Sequence, residues 1–248
     1  MLFNSYIFIL FFLPVTLLGY FGLHKAGFHL LAKLELVLMS FWFYGYFNPS
    51  YLWIMGSSIC VNYILSQLFQ RKWELSEEKI RLIKKLLLAV GLIFNLGLIF
   101  YYKYYDFFVD NLNKAFSTDF HLRHIVLPLG ISFFTFQQVS YVIDSYRGQT
   151  REYNILDYSL FVTFFPQLVA GPIVLHNEVL PQFADPKNWK LKSGNMAHGI
   201  YVFSAGLVKK VIIADTLSKA VTWGYANVNT GLTSMDAILM MVAYTFQI

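Results

Sequence analysis

The sequence predicts an all-α, polytopic helical membrane protein with about five to seven membrane segments, one of them broken or re-entrant. Two observations carry that prediction. Of the 248 residues, 57% are hydrophobic and only 13% charged, where a soluble domain carries about 25% charge. The hydrophobic residues also fall into successive runs with short polar breaks, and aromatics reach 19% of the chain, more than one water-soluble core encloses. A soluble enzyme, a disordered tail and a small secreted scaffold are excluded. Cys60 is the single cysteine, so neither an intramolecular disulfide nor a thiolate zinc site can form. The net charge of +5 comes from basic residues lying between apolar runs, which reads as membrane orientation and not as nucleic-acid binding.

The first run, Leu2 to Gly22, has no Lys or Arg before Lys25 and no small-residue cleavage site, so it reads as a retained helix and not as a secretory signal. Leu30 to Phe47 and Tyr51 to Phe69 follow, and the Asn48-Pro49-Ser50 turn makes them antiparallel neighbours. Arg71 to Lys85 is the most polar stretch, with six basic and three acidic residues; it reads as a loop or a solvated helix start. The fourth run, Leu86 to Tyr104, closes on the belt Tyr101, Tyr102, Tyr104 and Tyr105, whose amphipathic rings favour the headgroup level. A polar stretch with Asp106, Asp110 and Asp119 leads to the fifth run, Ile125 to Ile143. With the N-terminus outside, Lys25, Lys33 and the Arg71 to Lys85 stretch fall inside and the acid-rich stretch outside, which satisfies the positive-inside rule.

Beyond Arg147 the pattern is irregular. Leu156 to Leu175 is interrupted by Phe165-Pro166 and Ala170-Gly171-Pro172, and prolines so placed favour a broken or re-entrant segment. His198 to Val221 has Lys209 and Lys210 at its centre, which suits a helix lying along the inner interface. The last run, Ala237 to Ile248, spans 12 residues, or about 18 Å of a core about 30 Å thick. The expectation is therefore that 1–248 is a single membrane domain forming the front part of a longer one.

Polar residues in the fifth run are the strongest chemical signal. Gln137, Tyr141 and Asp144 recur at i, i+4 and i+7 and share a helix face. That face serves either an interhelical hydrogen-bond seam or a substrate path, and Asp144 has the further option of an end-of-helix contact with Arg147. The histidines His24, His29, His121, His124, His176 and His198 lie in loops or at helix ends, where an exposed or capping role is expected. His121 and His124 stand at i, i+3 without a third ligand type nearby, so no metal site is expected. No nucleophile triad, zinc-protease motif or phosphate loop occurs.

Several blocks resemble the membrane-bound O-acyltransferase family, and within it the bacterial alginate O-acetyltransferase branch. They are Leu127-Pro128-Leu129-Gly130-Ile131-Ser132-Phe133-Phe134-Thr135-Phe136-Gln137, Phe164-Phe165-Pro166-Gln167-Leu168-Val169-Ala170-Gly171-Pro172-Ile173 and Leu180-Pro181-Gln182-Phe183, joined by Tyr44-Gly45-Tyr46-Phe47-Asn48-Pro49 and Gly206-Leu207-Val208-Lys209-Lys210-Val211. The likeness runs the whole length. It implies transfer of an acetyl group from a cytoplasmic thioester donor, acetyl-CoA or an acyl carrier protein, towards hydroxyls of an exported polysaccharide such as alginate, with no resident cofactor. It also implies the bacterial cytoplasmic (inner) membrane as location, with the lipid bilayer and extracytoplasmic acetyl-relay or polysaccharide-modifying proteins as partners. The family's catalytic histidines match none of the six here, so no catalytic residue is assigned and this stretch alone is expected to be inactive. Gln137, Tyr141, Asp144, Gln167, Pro172 and His176 are the expected cavity-lining residues. A multi-pass transporter or channel subunit using the polar run and the broken segment, and a non-functional acyltransferase fragment, are the competing readings.

Overall fold

Proline, glycine and asparagine decide where the helices stop. A computed structural model of the chain describes residues 1–168, 171 and 174–248. Helix α1 (Phe8–Lys25) turns at Gly27, whose φ of +85° suits only glycine without strain, into α2 (His29–Gly45). Asn48 Oδ1 accepts the Ser50 N–H at 3.0 Å and so starts α3 (Ser50–Gln70). Helix α4 (Glu77–Phe116) is 40 residues long, about 60 Å at 1.5 Å per residue. Then come α5 (Ile131–Tyr146), α6 (Ile155–Thr163), the single turn α7 (Phe165–Leu168) and α8 (His176–Ala184). The described residues contain no strand. Among them α1, α3 and α4 are long and apolar enough to cross a bilayer; α2 and α5, at 17 and 16 residues, are shorter than the apolar runs suggested.

Two boundaries differ from the sequence reading. The helix expected to end at Tyr104 continues through a π-helical stretch, Phe100–Tyr104, to Phe116. Its last turns are supported by an Asp110–Lys114 pair at i, i+4, and it ends where Ser117 takes a left-handed φ of 53°. The helix expected from Ile125 begins only at Ile131. Pro128 and Gly130 (φ +69°) interrupt it, and the Asp106 carboxylate accepts the backbone N–H groups of Arg123 and Ile125 at 2.8 and 2.9 Å, strapping the link to α4. Arg123 donates to the Tyr101 hydroxyl at 2.8 Å and lies over the Tyr101 and Tyr105 rings, so part of the tyrosine belt holds this strap.

The chain divides into two units, one of Met1 with residues 16–189 and one of residues 2–15 with 190–248. In the first, α5 and α6 pack against α2 and α3 around Tyr44, Met55, Phe134, Tyr141 and Tyr158, all 1% exposed or less. Lys33 of α2 and Asp157 of α6 pair at 2.6 Å. In the second, α9 (Ser193–Leu207) runs through a π-helical stretch, Val208–Ala214, into α10 (Asp215–Ala226). Helix α11 (Ser234–Gln247) starts from a capping box in which Thr233 and Asp236 satisfy each other's backbone N–H groups. A Cβ at Gly224 would run into Met240, so the absence of a side chain there lets α10 and α11 approach closely.

A closed set of amides joins four helices of the first unit. Asn62 (α3) and Asn95 (α4) bond reciprocally, Nδ2 to Oδ1, at 3.1 and 2.6 Å. Asn62 Nδ2 also donates to Gln138 Oε1 (α5) at 2.9 Å, and Tyr158 OH (α6) donates to the same oxygen at 3.2 Å. Gln138 Nε2 donates to Ser58 Oγ at 3.0 Å. All five residues are fully buried. We expect Asn62→Leu, which keeps the volume but leaves the buried Asn95 Oδ1 without its donor and removes one of the two donors to Gln138 Oε1, to destabilise the unit by about 2 kcal/mol. Reversible unfolding in detergent measures this, and Asn62→Leu with Asn95→Leu should cost less than the two single changes added.

Candidate functional site

The C-terminal end of α5 gathers the groups the sequence singled out. Gly148, at φ +72°, turns the chain back over the helix end, with the Gln149 N–H donating to the Asp144 carbonyl at 2.9 Å. The returning strand of chain brings Tyr153 against Tyr141, ring centres 6.4 Å apart, and Asn154 then accepts the Asp157 N–H to start α6. Helix α6 ends at Thr163, with Phe164 as its cap, because Pro166 has no N–H to offer the Val162 carbonyl and its ring would clash with that group in a continued helix. Across the break, the Phe165 N–H donates to Ser40 Oγ at 3.3 Å and Gln167 Nε2 donates to the Phe161 carbonyl at 2.8 Å. The Gly171 N–H returns to the Gln167 carbonyl, and a Cβ at Gly171 would lie 2.5 Å from Gln167 Cα.

Helix α8 opens with His176, which is 3% exposed. Its Nε2 lies 3.4 Å from Asp144 Oδ2 and its Nδ1 3.4 Å from the Tyr153 hydroxyl. Tyr141, Tyr153 and Phe161 present ring edges or faces to it at 5.2, 5.7 and 6.3 Å. A proton on Nε2 faces the carboxylate and leaves Nδ1 to accept from the phenol, which is the tautomer these partners select. Burial pulls the imidazole below its usual pKa, and Asp144 pulls less strongly the other way. The group is therefore a neutral imidazole inside a ring of aromatic side chains.

Of the expected residues, Tyr141, Asp144 and His176 come together. Gln137 is buried two turns earlier on α5, with 3% exposed. Gln167 bonds the α6 carbonyl across the break, and Pro172 lies outside the described residues. One open alternative is set aside and one expectation is corrected. Asp144 faces His176 and not Arg147, because the turn at Gly148 carries the chain away. His24 and His176 are buried, not exposed or capping: His24 packs on Trp189 with its Nδ1 2.9 Å from His29 Nδ1, and His176 follows the break and is carried inward by it. Tyr153 was missed, since nothing in its local pattern marks it. Grooves of about 360 and 500 Å³ open near the basic end, the first lined by Glu77, Ile80, Arg81, Lys84 and Tyr146 and the second including Tyr63, Arg71 and Glu152. None of the expected cavity residues that the structure describes lines either one.

Comparison with known proteins adds to this geometry. The family model described as MBOAT, membrane-bound O-acyltransferase family, matches residues 17–244. A peptidoglycan O-acetyltransferase of Helicobacter pylori is 39% identical over 274 aligned residues, covering 100% of this chain and 51% of that protein. Proteins named probable alginate O-acetylase AlgI, from Pseudomonas aeruginosa and Pseudomonas putida, are each 34% identical over 253 residues, covering 100% of this chain and 46% and 49% of theirs. The chain thus spans about half the length of the curated relatives it matches. No solved structure matches. These relatives are named as acetylating enzymes, which leaves the transporter reading without support.

The buried neutral imidazole sets a pH dependence of stability. With its pKa lowered on folding, the unfolded chain binds the proton more readily, so the contribution of His176 is present above the ordinary value of 6.5 and is lost as the pH falls below it. We expect the thermal unfolding midpoint to fall on acidification through that range, with a shallower fall in His176→Gln, as followed by calorimetry in detergent.

Proposed function

The chain belongs to the membrane-bound O-acyltransferase family, and from that membership we propose that it forms part of a bacterial O-acetyltransferase that passes acetyl groups from a cytoplasmic thioester to hydroxyls of an exported or wall polysaccharide. The observation that carries the reading is the family match across residues 17–244. Alginate and peptidoglycan are the polymers in the names of its relatives, and both are candidate acceptors. The donor is acetyl-CoA or an acyl carrier protein, acting as a substrate. Extracytoplasmic relay or polysaccharide-modifying proteins take over the acetyl group beyond the membrane.

The reaction forms a C–O bond between the acceptor oxygen and the acetyl carbonyl carbon, breaks the C–S bond of the thioester, and moves the hydroxyl proton to a base. In this reading Gln137, Asp144, Gln167, Pro172 and His176 shape the path and Tyr141 backs it. Support comes from the proline break, since irregular backbone at membrane depth persists only where protein buries it or it borders a watery cavity. Both nitrogens of His176 already face partners, so no catalytic role is given to it.

Two experiments test this. The full-length gene, expressed in a host lacking such an enzyme, should place ester-linked acetate on alginate or on peptidoglycan above the empty-vector level, and Asp144→Asn should lower that acetate without reducing the protein in the membrane. Acetate on neither polymer would remove the reading. The orientation, multi-pass in the cytoplasmic membrane with the N-terminus outside, predicts that Glu77→Cys is protected from an impermeant thiol reagent in intact cells; Cys60, which is exposed, is first changed to serine.

A further inference from the structure

We propose that His176 is a positioning residue for the acetyl transfer: its imidazole, held between Asp144 and Tyr153, pins the chain where it rejoins the helical core after the proline break. The inference rests on the acetyltransferase reading and adds to it the side chain that holds the start of α8 against the core.

On the upstream side of the break, the chain is tied to the core by the Phe165 N–H on Ser40 and the Gln167 amide on the Phe161 carbonyl. On the downstream side, the Leu175 N–H is bound only within its own turn, by Glu178. His176 is the next residue, and its side chain meets three separate pieces of the unit: Asp144 and Tyr141 of α5, Tyr153 of the returning link, and Phe161 of α6. The next buried residue on α8, Leu180, lies one turn further along. His176 is thus the first side chain of α8 to reach the core.

The chemistry explains why this anchor is an imidazole. Asp144 offers an acceptor and Tyr153 a donor, and a neutral imidazole answers both across one rigid plane. An apolar residue would fill the same space but make neither contact, so nothing directional would hold the ring position. The same geometry separates positioning from base catalysis. Each ring nitrogen faces a protein partner at 3.4 Å and the residue is 3% exposed, so an acceptor hydroxyl could reach a nitrogen only by displacing Asp144 or Tyr153. His176 acts through the segment it holds.

The test uses the full-length protein with two substitutions. His176→Leu keeps the packing and removes both polar contacts; His176→Gln keeps a donor and an acceptor. Because a displacement of about 1 Å at a reacting centre can cost about 100-fold, His176→Leu should lower kcat at least tenfold per folded molecule, with KM for the thioester changed less than about twofold. His176→Gln should recover all but about threefold of the rate. In parallel, amide exchange in peptides covering 174–183 should speed up in the leucine variant and stay near wild type in the glutamine variant. Unchanged exchange in the leucine variant would overturn the proposal, as would full activity per folded molecule. A glutamine variant that retains exchange protection but is as slow as the leucine variant would make His176 a base and also overturn it. If the wild-type protein acetylates nothing, the acetyltransferase reading fails, while the exchange measurements still decide whether His176 anchors the segment.

Discussion

Four helices of the larger unit meet on amide groups that have no water to turn to. Asn62, Asn95 and Gln138, with Ser58 and Tyr158 completing the set, bond one another across α3, α4, α5 and α6. Each interaction is worth only about 1 kcal/mol in a membrane protein, yet the alternative for any one group is burial without a partner. Apolar packing alone would tolerate a helix rotated or slid by a fraction of a turn. Directional bonds among four helices fix rotation and height together, which makes this cluster the constraint on which the remaining geometry depends.

The arrangement around His176 follows from it. With Gln138 turned to the amide cluster, the residues one turn on, Tyr141 and Val142, are forced into the core, and both are fully buried. Asp144 then falls at the edge of the same face, partly exposed, where α8 can deliver an imidazole. A different rotation of α5 would carry the carboxylate into lipid or into the core. The polar residues of α5 therefore divide the two roles that the sequence left open: Gln138 belongs to the seam, and Asp144 meets the segment after the break.

The helical class, the turn at Asn48-Pro49, the break at Phe165-Pro166 and the solvated start of α4 were legible because local rules govern them: apolar runs, proline geometry and charge. The start of α5 was not, because it depends on Asp106 reaching across to Arg123 and Ile125 from another helix. Asn62 and Asn95, polar residues inside apolar runs, were not singled out, because their pairing, 33 positions apart, has no signature in one sequence. His176 was read as a loop histidine because burial after a chain break depends on where the chain returns. Its partner Tyr153 is one of 17 tyrosines, and only the fold distinguishes it.

Helix α4 behaves as a ruler. From Leu86, just after Lys84 and Lys85, to the tyrosines ending at Tyr104 there are 19 residues, about 28 Å at 1.5 Å each, close to the thickness of a bilayer's hydrocarbon. The π-helical turn falls at the upper mark of that scale, and the 12 residues beyond it carry exposed Phe107, Phe108 and Phe116, suited to lying in the headgroup layer. Because Asn95 sits on the graduated part and belongs to the amide cluster, the depth at which the bilayer seats α4 is also the depth at which it seats the core. A thinner or thicker membrane would have to tilt the whole unit and not this helix alone, so lipid composition acts on the interior through the contacts that α4 makes with its neighbours.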